Sequence, residues 1–254
     1  MSWFGALLAD DLSIATGVGH SLAICLAVYV AHLKDGYIDF YTRGEDTSNP
    51  LTPAEIHVAI TVSAATFMGC VGFLWITSGI VAAVLTIPVV VLALLHAPYL
   101  DTTPVTTTID YPLGIAFTTM GGYAAQTNSM ASSVIAVSLI FFLQLAAIGV
   151  LLDLLDYPHD HLIAKRTLPV VLGRDRAKLV TWTLVAAAVC LLVLSSALGV
   201  FPHCAATAAS LPLGAMMVCL NRGYAAGRAV SLFIKTTYAF GGVLFLTVRP
   251  GLLC

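Results

Sequence analysis

The sequence predicts an all-α, polytopic transmembrane bundle of about eight spans, forming a single integral membrane domain over residues 1–254. Three observations predict it. Hydrophobic residues make up 59% of the chain and charged residues only 9%, where an ordinary soluble domain has about 25% charged residues. The mean hydropathy is +0.96, so the chain has too few polar side chains to cover itself in water. Finally, the apolar runs recur along the whole length, each close to the ~20 residues that cross a hydrocarbon core as a helix. They are rich in Gly and Ala and lack polar alternation. Helices, which satisfy their own backbone hydrogen bonds in lipid, therefore fit them better than barrel strands do.

The first span is expected over 13–33, the second over 56–76 and the third over 78–95. The fourth, 111–126, is the weakest run, and it contains Gly121 and Gly122, a pair that lets helices approach closely. Four more follow over 130–152, 179–200, 205–220 and 229–248. Cys25, Cys70, Cys190, Cys204, Cys219 and Cys254 are scattered without CxxC spacing, nearly all in apolar runs, so they read as packing residues rather than a zinc site or a disulfide framework. The N-terminus lacks a positive n-region, and no cleavable signal peptide is expected.

Positive charge orients the spans, because short cytoplasmic loops carry excess Lys and Arg. Lys34 and Arg43 follow the first span, Lys165, Arg166, Arg174, Arg176 and Lys178 the fifth, and Arg222 and Arg228 the seventh. Only Lys235, inside the last span, and Arg249, at its far end, fall elsewhere. The protein is thus expected to be multi-pass, with the polar loops 34–55 and 153–178 on the cytoplasmic face. The Thr- and Pro-rich loop HAPYLDTTPVTTTIDYP lies on that face too and is placed to cover or line a site. A formal charge of −2 excludes nucleic acid as a partner, since a phosphate-binding surface needs a basic excess.

The chemistry is expected in two acidic clusters. His32, Asp35 and Asp39 stand at i, i+3 and i+7, on one helix face, and Asp153, Asp156 and Asp160 repeat the spacing. Carboxylates crowded on one face repel each other unless a cation sits among them. Hard oxygen ligands suit Mg²⁺, which keeps waters and is shared with substrate phosphates. Gly44 frees the chain to turn back, bringing Arg43, Glu45 and Asp46 toward the first cluster. Lys165 and Arg166 follow the second cluster within reach of an anion held by metal, as diphosphate ligands.

The segment DLLDYPHDHLIAKRTLPVVLG resembles the second Asp-rich motif of the UbiA superfamily of intramembrane prenyltransferases, and KDGYIDFYTRGEDT is similar to its first motif, NxxxDxxxD. GGYAAQTNS and KTTYAFGGVLFL are most like the MenA-like branch, and the resemblance spans nearly the whole chain. It implies that Asp35, Asp39, Asp156 and Asp160 are catalytic and that, with Asp46 and Asp153, they hold metal against a prenyl diphosphate, with Lys165, Arg166 and Arg43 neutralising the leaving group. Glu45 is the alternative to Asp46. Three features depart from the pattern: Asp35 stands where the family has Asn, the first of the usual nine helices is absent, and 99–109 lacks the Lys that quinone-forming members carry.

The expected reaction is Mg²⁺-dependent ionisation of the prenyl diphosphate in the membrane, with membrane lipid around it, and transfer of the prenyl group to a neutral or aromatic acceptor. Tyr37, Phe40, Tyr99 and Phe117 are candidates to face the allylic cation, although each has a packing reading as well. Capture by an alkene of the same chain would instead make a terpene cyclase, a reading favoured by Asp35 and the missing Lys. A cation-coupled transporter is the remaining alternative, against which the acids sit at span ends rather than at mid-membrane.

Overall fold

The computed structural model describes residues 1–162, 165–223 and 225–249, and every regular element among them is helical. The helices form two compact units, Met1–Thr102 with Phe117–Met130, and Thr103–Ala116 with Ala131–Cys254.

The first unit begins with a short helix, α1 (Ser2–Leu7), which the apolar runs did not predict. Helix α2 (Ile14–Tyr37) starts at Ser13, whose side chain accepts from the Thr16 amide, and runs into a π-helical turn, Ile38–Arg43. Gly44, with φ +68°, ends it in the left-handed conformation that glycine adopts without a Cβ penalty. Helix α3 (Pro53–Ser78) opens with a capping box between Thr52 and Glu55 and with Pro53, whose missing N–H is no loss in a first turn. Helix α4 (Ile80–Leu95) ends in a kinked turn, His96–Leu100, where the backbone leaves helical geometry at Ala97 and Pro98.

Helix α5 (Pro104–Thr127) contributes its second half to this unit. The turn between α3 and α4 is tied to its end: Ser78 donates to the Ala125 carbonyl at 2.7 Å, and the Val81 amide donates to Asn128 Oδ1 at 3.1 Å. Ala23, Ala27 and Val30 of α2 pack with Phe67 and Val71 of α3 and with Ala83, Val89 and Val90 of α4. Small side chains on α2 let the backbones approach closely, as membrane helices require. Gly121 and Gly122 do what their position predicts, since a Cβ on Gly121 would lie 2.5 Å from His20 Nε2 and one on Gly122 would overlap the Ser2 carbonyl.

The second unit holds the first half of α5, followed by α6 (Ser132–Leu162), α7 (Leu168–Leu172) and α8 (Arg174–Ala197). A 3-10 segment, His203–Ala209, then enters α9 (Ser210–Arg222), and α10 (Ala226–Val248) closes the unit. Its core joins Ala147, Leu151 and Leu154 of α6 to Ala177 and Val185 of α8, Ala215 and Cys219 of α9, and Ala229 and Phe233 of α10.

Each expected span corresponds to a helix, and among the described residues seven segments are long and apolar enough to cross a membrane. The exception is α5, whose first half carries Thr106, Thr107, Thr108, Asp110 and Tyr111. Large apolar side chains face outward, Ile76 at 86% exposure and Leu198 at 71%, as expected where lipid rather than water is the solvent. Lys235, also exposed, lies on α10. Cys25, Cys70, Cys190 and Cys219 are free, as packing residues should be. Cys204 corrects the expectation, because it is disulfide-bonded; Cys254 lies outside the described residues.

Candidate active site

In the first unit the acidic cluster sits where α2 changes pitch. Asp35 is in the last α-helical turn, with one carboxylate oxygen 3.7 Å from His96 Nε2, and Asp39 is on the π turn. A π turn inserts a residue into the helical repeat and rotates everything after it, and such turns are frequent at functional sites. Arg43 closes the turn and is held by two carboxylates: its Nη1 is 2.5 Å from Asp101 Oδ2 and 3.3 Å from Asp39 Oδ1. The charges acting on Asp39 are those of Asp35, Glu45, Arg43 and Asp46, so the segment after Gly44 does return toward the cluster, and the Glu45 amide donates to the Asp39 carbonyl at 2.8 Å. Asp46 and His32 are exposed.

Asp101 was not singled out from sequence. It is 7% exposed, directly after the kinked turn His96–Leu100, and its Oδ1 is buried without a hydrogen-bond partner among the described residues. The only signal was an acid in a loop otherwise read as Thr- and Pro-rich cover.

The aromatic candidates divide. Phe117 packs against the apolar cluster of α2, α3 and α4, and the Tyr99 ring is covered by Lys34 Nζ at 5.4 Å from its centroid, while that same amine donates to the Leu94 carbonyl. Tyr37 stacks against Tyr41 and His57 at 5.4 and 5.3 Å, and Phe40 meets Tyr41 edge-on at 4.8 Å. These rings already have partners within the unit.

In the second unit Asp153, Asp156 and Asp160 lie on the last turns of α6, which contain Pro158. Proline there removes one amide from the helical ladder, freeing a carbonyl of the preceding turn. Asp156 is exposed, Asp153 is half-buried with its Oδ2 buried and without a hydrogen-bond partner among the described residues, and Asp160 is 4% exposed. Asp160 accepts a hydrogen bond from Thr167 Oγ1 at 3.1 Å, and its carbonyl accepts from the Lys165 amide at 2.9 Å. The charges acting on Asp153 are those of Asp160, Lys165 and Asp156. Lys165 is half-buried and Arg166 exposed, while Arg174 sits 5.7 Å above the Tyr157 ring. Thr167, inside the motif but given no role from sequence, is fully buried and supports Asp160 rather than capping α7.

A polytopic helical membrane protein with carboxylates and cations gathered at the ends of two of its spanning helices is the class this architecture defines. The chain belongs to the UbiA prenyltransferase family, whose model matches residues 3–239. Its fold is similar to that of digeranylgeranylglyceryl phosphate synthase in membranes, with a TM-score of 0.78 at 16% identity over 99% of this chain and 91% of that one. No curated protein matches the chain in sequence.

Members of this family are generally Mg²⁺-dependent. Among the described residues no three His, Cys, Asp or Glu side chains stand close enough to form a metal cage. Magnesium asks for less, because it binds through one or two carboxylates and completes its shell with water and substrate phosphate. The all-carboxylate donor set and the buried Asp153 Oδ2, which has no hydrogen-bond partner among the described residues, fit such an ion.

Proposed function

We propose that the protein ionises a prenyl diphosphate within the membrane in a Mg²⁺-dependent reaction and transfers the prenyl group to an acceptor. The observation that carries this reading is the pairing, in each unit, of crowded carboxylates with basic groups at the end of a spanning helix: Asp35 and Asp39 with Arg43, and Asp153, Asp156 and Asp160 with Lys165. Those acids, with Asp46, are the residues that would hold Mg²⁺. Bound there, the ion supplies charge neutralisation to the diphosphate oxygens as the C–O bond breaks.

The remaining work falls to the chain itself. Lys165 and Arg166 offer ammonium and guanidinium donors to the leaving diphosphate, where negative charge grows in the transition state. Thr167 holds Asp160 in one orientation by donating to it. The apolar spans admit an isoprenoid tail from lipid and keep water from the cationic prenyl group. The polar loops 34–55 and 153–178 are proposed to be cytoplasmic, on the strength of the basic residues gathered after odd-numbered spans.

A second reading, cyclisation of the prenyl chain, is supported by the lack of any Lys or Arg between Tyr99 and Ile109, which leaves a carboxylated acceptor no cationic partner in that loop. One experiment tests both. Purified protein is incubated with prenyl diphosphates of several lengths, with and without a neutral or carboxylated aromatic, in Mg²⁺ or chelator. Mg²⁺-dependent diphosphate release with a prenylated acceptor supports transfer, and hydrocarbon products without acceptor support cyclisation. Release of no diphosphate under any condition would sink both.

A further inference from the structure

We infer that Asp101 is a positioning residue for the proposed reaction, anchoring the Arg43 guanidinium so that the Asp39 carboxylate stays open to a divalent cation. This rests on the diphosphate-ionising reading given above.

Arg43 and Asp39 stand four residues apart on the same turn, a spacing at which Arg and Asp side chains pair readily. Left alone, Arg43 would close fully on Asp39 and occupy the face a metal needs. It does not. Nη1 lies 2.5 Å from Asp101 and 3.3 Å from Asp39, so the guanidinium is drawn toward the loop carboxylate and keeps one longer hydrogen bond, to a single oxygen of its helical neighbour. Burial decides the competition. Asp101 is 7% exposed and the Asp39 side chain 24%, and a carboxylate with less water around it gains more from a cationic partner.

The second oxygen of Asp101 has no partner among the described residues, so Arg43 is the ion that compensates this buried charge. The pair also links the π turn Ile38–Arg43, which Arg43 ends, to the kinked turn His96–Leu100, which Asp101 directly follows. Two irregular helix ends thus meet at one ion pair.

Removing the anchor should release Arg43 onto Asp39. Asp101→Asn, nearly the same shape, should therefore weaken divalent-ion binding by about tenfold, in the range known for residues that orient metal ligands. The test is Mn²⁺ titration by electron paramagnetic resonance, at fixed inorganic pyrophosphate, on the purified full chain, beside the Mg²⁺ dependence of diphosphate release. Four proteins are compared: wild type, Asp101→Asn, Arg43→Gln and the double variant. The expected result is weaker Mn²⁺ binding and a raised Mg²⁺ requirement in Asp101→Asn, with turnover largely recovered at saturating Mg²⁺. In the Arg43→Gln background, Asp101→Asn should have no further effect, because no guanidinium remains to occlude Asp39.

An Asp101→Asn protein with wild-type Mn²⁺ affinity would overturn the proposal, as would an effect of equal size in both backgrounds, which would make Asp101 a metal ligand itself. A loss of turnover and thermal stability at unchanged affinity would reduce Asp101 to a structural pair. Failure of the parent reading looks different, since wild type would then release no diphosphate and take up no Mn²⁺.

Discussion

Thr167 Oγ1 donates a hydrogen bond to Asp160 Oδ2 across 3.1 Å, and both side chains are buried. The carboxylate of the second acidic cluster is therefore oriented by the loop that follows it. A Thr167→Val protein, matched in shape but without the hydroxyl, should lose about 1 to 3 kcal/mol of stability, the cost of stranding a buried acceptor. Thr167→Ser should stay near wild type. Thermal melts and diphosphate release on the three proteins check this, and equal behaviour of the Val and Ser variants would show that the bond is idle.

Both acidic clusters should be needed for turnover. Asp39→Ala and Asp160→Ala should each release no measurable diphosphate while melting near the wild-type temperature, and chelation should have the same effect on the unaltered protein. Near-normal release by a folded Asp39 or Asp160 variant would refute the joint requirement.

The glycine contacts yield a stability contrast. A Cβ on Gly122 would overlap the Ser2 carbonyl, which is backbone and cannot swing away. Gly122→Ala should cost about 1 to 3 kcal/mol by overpacking. Gly214, inside α9, has nothing within 4 Å of its Cβ position, and Gly214→Ala should stabilise by about 0.5 to 1 kcal/mol through helix propensity. Melting temperatures that move in the same direction for both would contradict the packing described for α1 and α5.

Topology can be read from cysteine chemistry. Single cysteines at Thr47 and His159, both exposed, should react with impermeant maleimide only from the cytoplasmic side. Cys204 lies at the start of the candidate span His203–Arg222, so on the proposed topology it should lie on the opposite face, where a disulfide would fit an oxidising compartment. It should be alkylated only after reduction, and from that opposite side. Labelling of Thr47 and Cys204 from the same side would break the assignment.

The sequence by itself determined the helical membrane class, because span length and the lack of polar cover are properties of composition read along one strand of chain. It also showed which carboxylates stand near one another along the chain, Asp35 with Asp39 and Asp153 with Asp156 and Asp160, because their spacing is a local relationship. Gly44 and the Gly121–Gly122 pair were legible for the same reason, since a missing Cβ acts on its immediate surroundings. Only the tertiary structure decided the partners. Arg43 is closer to Asp101 than to Asp39, Asp160 takes the Thr167 hydroxyl, the Tyr99 ring lies under Lys34, and Cys204 is bonded. Pairing of this kind depends on how the π turn after α2 and the kink after α4 redirect the chain and on which carboxylate is the more buried, and a buried charge settles on whatever partner the packing brings within reach, however distant in sequence.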